Sequence, residues 1–131
     1  GLTPAVYLSH ATGIPMLSID HSSHIPDFSA ELLAKLARRS LAERLLFVDD
    51  INDSGTTIAH LRASLAEGGG DPGNIRFATL IDNTTSAERV DYCFRKIDRS
   101  VNKQWFVFPW EQLSPVDKVI EDSAVVPGRL G

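Results

Sequence analysis

This chain is poor in cysteine, in positive charge and in long apolar runs, and each shortage removes a class of function. A single cysteine, Cys93, rules out an internal disulfide and fits a reducing compartment, the cytoplasm. Following Tyr92 in an apolar patch, it reads as a buried structural thiol, with a reactive one as the alternative. Thirteen Lys and Arg against 17 Asp and Glu leave a formal charge of −4, so there is no electrostatic footprint for a nucleic-acid partner. The basic residues stand singly or in pairs such as Arg38-Arg39 and Arg95-Lys96, the habit of a solvated face. No apolar run approaches the ~20 residues that span a bilayer, and there is no signal peptide; a membrane partner is not expected. Repeats and low-complexity stretches are absent too. The chain also lacks an initiator Met. Gly1-Leu2-Thr3-Pro4 runs straight into a helix start, which reads as a cut inside a domain.

What is present suits one domain: 131 residues, 43% of them apolar. Thr3 as N-cap and Pro4 at the first helical position predict a short helix ended by Gly13. Pro15 to Asp20 reads as a strand and His21 to Phe28 as a polar turn. Ser29 then caps a helix whose apolar stripe is Leu32, Leu33, Leu36 and Ala37. Leu45 to Asp50 reads as a buried strand. The next helix carries Ile58, Leu61 and Leu65 on one face and ends at Gly68-Gly69-Gly70. Ile75 to Ile81 is a further strand ending in Asp82, and Asp91 to Ile97 and Trp105 to Phe108 are weaker strand candidates. A helical turn is expected after Pro115. Strands alternating with helices imply an α/β fold with a parallel sheet, whose ligands sit beyond the carboxyl ends of the strands. Asp20, Asp49-Asp50 and Asp82 should therefore gather on one edge.

The densest chemistry lies between Leu45 and Thr57. Asp49 and Asp50 close a strand, Asp53 follows, and Ser54-Gly55-Thr56-Thr57 opens a helix. Carboxylates repel phosphate, whereas a small-residue loop at a helix N-terminus attracts it. Side by side they suit a sugar phosphate, with ribose hydroxyls or a hard cation such as magnesium on the acids. No lysine sits in the loop, so the nucleoside-triphosphate pattern is missing. Each feature also has a plainer reading. The loop is then a helix cap, the acid pair is solvated, and Asp53 is the N-cap of the next helix rather than a proton acceptor.

These thirteen residues resemble the phosphoribosyl-diphosphate motif of type I phosphoribosyltransferases: apolar residues, two acids, apolar-x-Asp, then Ser/Thr-Gly-x-Thr. Gly1 to Pro15 is similar to the family segment that leaves the pyrophosphate loop and forms the next helix. Trp105-Phe106-Val107-Phe108-Pro109-Trp110-Glu111 resembles its base-binding segment, nearest to the xanthine-guanine and archaeal-type guanine enzymes of purine salvage. The resemblance implies a Rossmann-like phosphoribosyltransferase core with a small aromatic C-terminal hood. It forms one domain over residues 1–131, without the first core strand and most of the pyrophosphate loop. It implies transfer of ribose 5-phosphate from phosphoribosyl diphosphate to a nucleobase nitrogen, with Mg2+ as cofactor and a homodimer as assembly. Asp49 and Asp50 would hold the ribose diol and magnesium, and Ser54, Gly55, Thr56 and Thr57 the 5-phosphate. Asp53 would take the base proton, Trp105 would stack on the base, and the Phe106 backbone would read its edge. Glu111 would help a second magnesium hold pyrophosphate.

The likeness has gaps. Purine-specific members place a lysine after the strand equivalent to Ile75–Ile81, where this chain has Asp82-Asn83; these two residues would meet the base instead, and a 6-amino or non-purine acceptor becomes a candidate. The mobile catalytic loop is replaced by His21-Ser22-Ser23-His24 and a Leu-rich helix. A non-catalytic regulator or sensor of the same fold, binding the sugar diphosphate or a nucleotide, is the rival reading. For Trp105, Phe106 and Trp110 the rival is core packing.

Overall fold

The computed structural model describes residues 1–19 and 26–113. Three helices, α1 (Leu2–Thr12), α2 (Pro26–Arg39) and α3 (Thr56–Glu67), accompany three strands, β1 (Leu45–Asn52), β2 (Ile75–Asn83) and β3 (Tyr92–Ile97). Short 3-10 turns cover Pro72–Asn74 and Pro109–Leu113. The sheet order is β1-β2-β3 and both pairings are parallel, with Phe47 opposite Phe77 and Asn52 opposite Asp82. The expected α/β parallel sheet is therefore present. Among the described residues no helix is long and apolar enough to cross a membrane.

The two predicted helical stripes meet each other. Leu33, Leu36 and Ala37 of α2 pack with Ile58 and Leu65 of α3 and with Phe77 of β2 as one buried cluster. Phe47 stacks on Phe77, ring centroids 5.3 Å apart, and so extends the cluster across the sheet. α1 is different. Only Pro4 is buried, while Leu2, Val6, Tyr7 and Leu8 face outward.

The joint between α2, α3 and β2 rests on Ser40, which is fully buried. Its hydroxyl donates to the Ala37 carbonyl at 2.6 Å and accepts the Asp71 N–H at 2.8 Å. The Ser40 carbonyl accepts from Asn74 Nδ2 at 2.8 Å.

Several expected boundaries shift. α1 begins at Leu2 with Gly1 as its N-cap and no side-chain cap, so Thr3 lies inside the first turn. Ser29 likewise falls within α2 rather than before it. Residues 15–19 form no strand, because no neighbouring segment offers them a ladder. Trp105 to Phe108 is not a strand either: the chain runs as loop into the 3-10 turn at Pro109. β1 and β2 run past their expected ends to Asn52 and Asn83. Cys93 is half-buried rather than buried. The expectations at Asp20, His21 to His24 and after Pro115 lie outside the described residues.

The return from β2 to β3 uses residues 84–91 without a helix. Asp91 re-enters the sheet by donating its N–H to the Phe77 carbonyl at 2.9 Å and accepting the Phe77 N–H at 2.8 Å. On the way the strap crosses the start of α3, where Ala87 N–H meets the Ser54 carbonyl at 3.2 Å. Glu88 pairs with Arg62, whose guanidinium lies 4.9 Å from the Phe77 ring centroid.

Removing the Ser40 hydroxyl takes the acceptor from the Asp71 N–H at a half-buried site. Ser40→Ala should therefore lower stability by about 1–3 kcal/mol, read as a drop in the urea midpoint at unchanged slope.

Candidate functional site

A parallel sheet delivers the carboxyl ends of its strands to one edge. Here that edge carries Asp49 to Asn52 of β1, Asp82 and Asn83 of β2, and Arg99 two residues past β3. Its floor is polar and buried. Asn52 Nδ2 donates to Asp82 Oδ1 at 2.8 Å and to the Glu88 carbonyl at 2.9 Å, while Asn52 Oδ1 accepts the Ser86 hydroxyl at 3.1 Å. Asn83 holds the next layer. Its Nδ2 donates to the Asp53 carbonyl at 2.9 Å, and its Oδ1 accepts from Thr85 Oγ1 at 2.9 Å and from the Arg99 N–H at 3.1 Å. Asp82 and Asn83 are 5% and 2% exposed. In the structure they brace the loop above them.

Above that brace the chain turns at Asp53-Ser54-Gly55 into α3. Gly55 takes φ +92°, and a Cβ there would lie 2.8 Å from both Glu88 N and Ser86 Oγ. Only glycine passes between the strap and the helix start. Gly55, the N-cap of α3, offers no side-chain cap, and the Ser54 hydroxyl accepts the Thr56 N–H at a long 3.3 Å. The hydroxyls of Ser54 and Thr56 lie 2.9 Å apart and both residues are exposed. Exposed hydroxyls beside the first N–H groups of a helix are donors that an anion can use, and Ser54, Gly55, Thr56 and Thr57 bring such groups together here.

The acid pair lies one step back, inside β1. Its two carboxylates do not diverge. Asp49 Oδ1 and Asp50 Oδ2 converge on the Gly1 nitrogen, at 3.2 and 3.9 Å. Gly1 is seated so closely that a Cβ on it would lie 2.3 Å from the Val48 carbonyl oxygen. Burial, reinforced by the Asp49 charge, pushes the Asp50 carboxyl up to about 6. Adjacent carboxylates under that strain attract a hard cation, and magnesium takes one or two carboxylates together with substrate phosphates. The pair fits such an ion. Glu111 does not join them: its Oε2 accepts the Phe108 N–H at 3.2 Å, and no metal-holding group of three acids, His or Cys exists among the described residues.

Asp53 is held by a residue that local pattern did not single out. Arg99 Nε donates to Asp53 Oδ1 at 3.0 Å and Nη2 to Oδ2 at 2.9 Å, a two-pronged ion pair. Arg99 is 2% exposed, and its Nη1 reaches the Asn102 and Gln104 carbonyls. Its guanidinium lies 5.4 Å from the Phe106 ring centroid. Thus the loop before Trp105 is anchored to the Asp53 turn. Trp105 itself is half-buried, and its indole Nε1 is buried without a partner. Phe108 stacks on Trp110 at 4.9 Å. Nothing local in the sequence marks Arg99, which follows Arg95-Lys96 closely and meets its partner 46 positions away.

The family described as phosphoribosyl transferase domain matches residues 1–113. Among solved structures, the Helicobacter pylori xanthine-guanine-hypoxanthine phosphoribosyltransferase is 20% identical, with a TM-score of 0.55 over 94% of this chain and 73% of that one. The sheet and its flanking helices are thus the fold of that protein. A purine phosphoribosyltransferase from Pyrococcus horikoshii Ot3 is 25% identical, with a TM-score of 0.46; the match covers 57% of this chain and 46% of the other.

The strained acid pair makes a pH-dependent prediction. The folded Asp50 holds its proton up to about pH 6, the unfolded one only to 3.8, so its contribution to stability falls as pH rises through that window and stays low above it. In chelator, Asp50→Asn should be more stable than the parent at pH 7.5, by about 1–2 kcal/mol after solvent screening at this strand end. Denaturation curves should show the gain fading below about pH 4.

Proposed function

We propose that this chain, which belongs to the phosphoribosyl transferase domain family, transfers ribose 5-phosphate from phosphoribosyl diphosphate to a nucleobase nitrogen, a purine by preference. The observation that carries this reading is the junction of β1 and α3. There a cation-seeking acid pair stands beside a helix N-terminus entered through Gly55, whose side-chain cover is limited to the Ser54 hydroxyl 3.3 Å from the Thr56 nitrogen.

The roles follow from the chemistry of each group. The N-terminus of α3 with Ser54, Thr56 and Thr57 binds the 5-phosphate, and Asp49 and Asp50 accept the ribose hydroxyls. The same two acids would hold magnesium, with Glu111 the candidate for a second ion; the metal supplies charge neutralisation for the leaving pyrophosphate. A bond forms from the base nitrogen to ribose C1, the C1–oxygen bond breaks, and pyrophosphate departs with the electron pair. The proton released by the base nitrogen passes toward the Asp53 carboxylate. Trp105 stacks on the base and the Phe106 backbone meets its edge. Asp82 and Asn83 serve the base indirectly, through Asn52, Asp53 and Arg99. The cytoplasm is the proposed compartment and a homodimer the proposed assembly.

A second reading, a sensor that binds the sugar diphosphate without turnover, draws on one observation: both oxygens of Asp53 already receive N–H groups from Arg99. Two measurements separate the readings. Titrating phosphoribosyl diphosphate calorimetrically should give binding that needs magnesium and that Gly55→Val abolishes. Undiminished affinity in that variant would place the phosphate elsewhere. With guanine, hypoxanthine, xanthine or adenine supplied, Asp53→Asn should slow pyrophosphate release by about 100-fold or more while sugar-diphosphate affinity stays within about twofold. Sugar-diphosphate binding by the parent without release of pyrophosphate from any base would favour the sensor.

A further inference from the structure

Arg99 is the one fully buried cation among the described residues, and nothing in the reaction proposed above requires it to touch a substrate. A guanidinium has five N–H groups. Here two go to Asp53, one to the Asn102 carbonyl and one to the Gln104 carbonyl, while its backbone N–H goes to Asn83. Those acceptors belong to three separate pieces of chain: the turn that enters α3, the end of β2, and the loop that precedes Trp105. The flat side of the guanidinium covers Phe106.

We propose that Arg99 is a positioning residue that sets the Asp53 carboxylate and the Trp105-Phe106 segment at a fixed distance from each other, so that a base is gripped between them. This rests on the transferase reading. The fork fixes the plane of the carboxylate, since both oxygens are held in the plane of the guanidinium. The two carbonyl contacts fix the height of the aromatic segment over that plane. A lysine, with its point charge on a flexible stem, keeps the attraction but cannot set the plane or reach all four acceptors at once. The proposed 5-phosphate residues Ser54 to Thr57 begin one residue past Asp53 and are braced by the strap residues Ser86 to Glu88. Arg99 bonds Asp53 and none of Ser54 to Thr57, so its side chain acts on the base end of the ligand before the phosphate end.

The test separates these two ends of the ligand. Ribose 5-phosphate carries the phosphate and the sugar; the 5′-monophosphates of guanosine, inosine, xanthosine and adenosine add a base. Affinities for all five, measured by calorimetry on the whole chain, give the factor by which each base tightens binding. For the best-bound monophosphate, Arg99→Met should cut that factor at least about tenfold, Arg99→Lys should fall between parent and Met, and ribose 5-phosphate should stay within about twofold throughout. If Arg99→Met does not give a cooperative thermal transition, Arg99→Lys alone decides. An unchanged base factor in a folded variant overturns the proposal. So does a parallel loss for ribose 5-phosphate and monophosphate, which would make Arg99 a general scaffold, and so does a parent whose affinity gains nothing from any base. A parent that binds neither ribose 5-phosphate nor phosphoribosyl diphosphate fails at the transferase reading itself.

Discussion

A guanidinium taken out of water must find an anion and enough carbonyl oxygens to replace its hydration, and at Arg99 that demand organises the functional edge of the molecule. Its acceptors are gathered from the α3 turn, from the loop past β3 and, through Asn83, from the end of β2. Of these, the α3 turn and the loop past β3 have no regular structure of their own. They hold their relative places because leaving any one of the Arg99 acceptors would strand a buried charge. A hydrophobic contact is tolerant of a slide of an ångström; a forked ion pair is not. The apolar cluster under α2 and α3 positions the strands, and the ion pair positions what the strands carry.

The two acid sites of this edge have opposite electrostatic characters. Asp53 is matched by a cation within the fold, whereas Asp49 and Asp50 face one another with their mutual repulsion only partly relieved, as the raised Asp50 carboxyl records. A matched carboxylate is a geometric element. A pair that shares one nitrogen, that of Gly1, keeps an excess of negative charge that a hard cation would balance. The same strand-end motif thereby supplies both a fixed reference point and an ion-dependent seat, three residues apart.

Much of this was legible along the chain because it depends on local order. The apolar run into Asp49-Asp50, the small-residue entry to α3 and the stripes Leu33-Leu36-Ala37 and Ile58-Leu65 each depend on neighbours in sequence, and each stands in the structure. Trp105 to Phe108 misled because aromatic residues carry β-propensity, yet a strand also needs a ladder, and here the backbone just ahead is taken by Arg99. The inward pairing of Asp82 and Asn83 was not legible for a related reason: a strand end announces polar groups without saying which of them turn inward to pair. Arg99 itself was silent. Its partner lies 46 positions away, and no periodicity reports a pairing over that distance.

That same separation has a kinetic consequence. β1, α3 and β2 follow one another directly, so the βαβ core closes through short-range contacts and can form early. The Asp53–Arg99 tie must instead wait for β3 to dock and for the chain beyond it to fold back. Breaking it frees the loop before Trp105 without disturbing the α2–α3 core. In the vocabulary of hydrogen exchange, a tie of this range is expected to make the functional edge a foldon distinct from the sheet it stands on, its amides opening before those of β1 and β2.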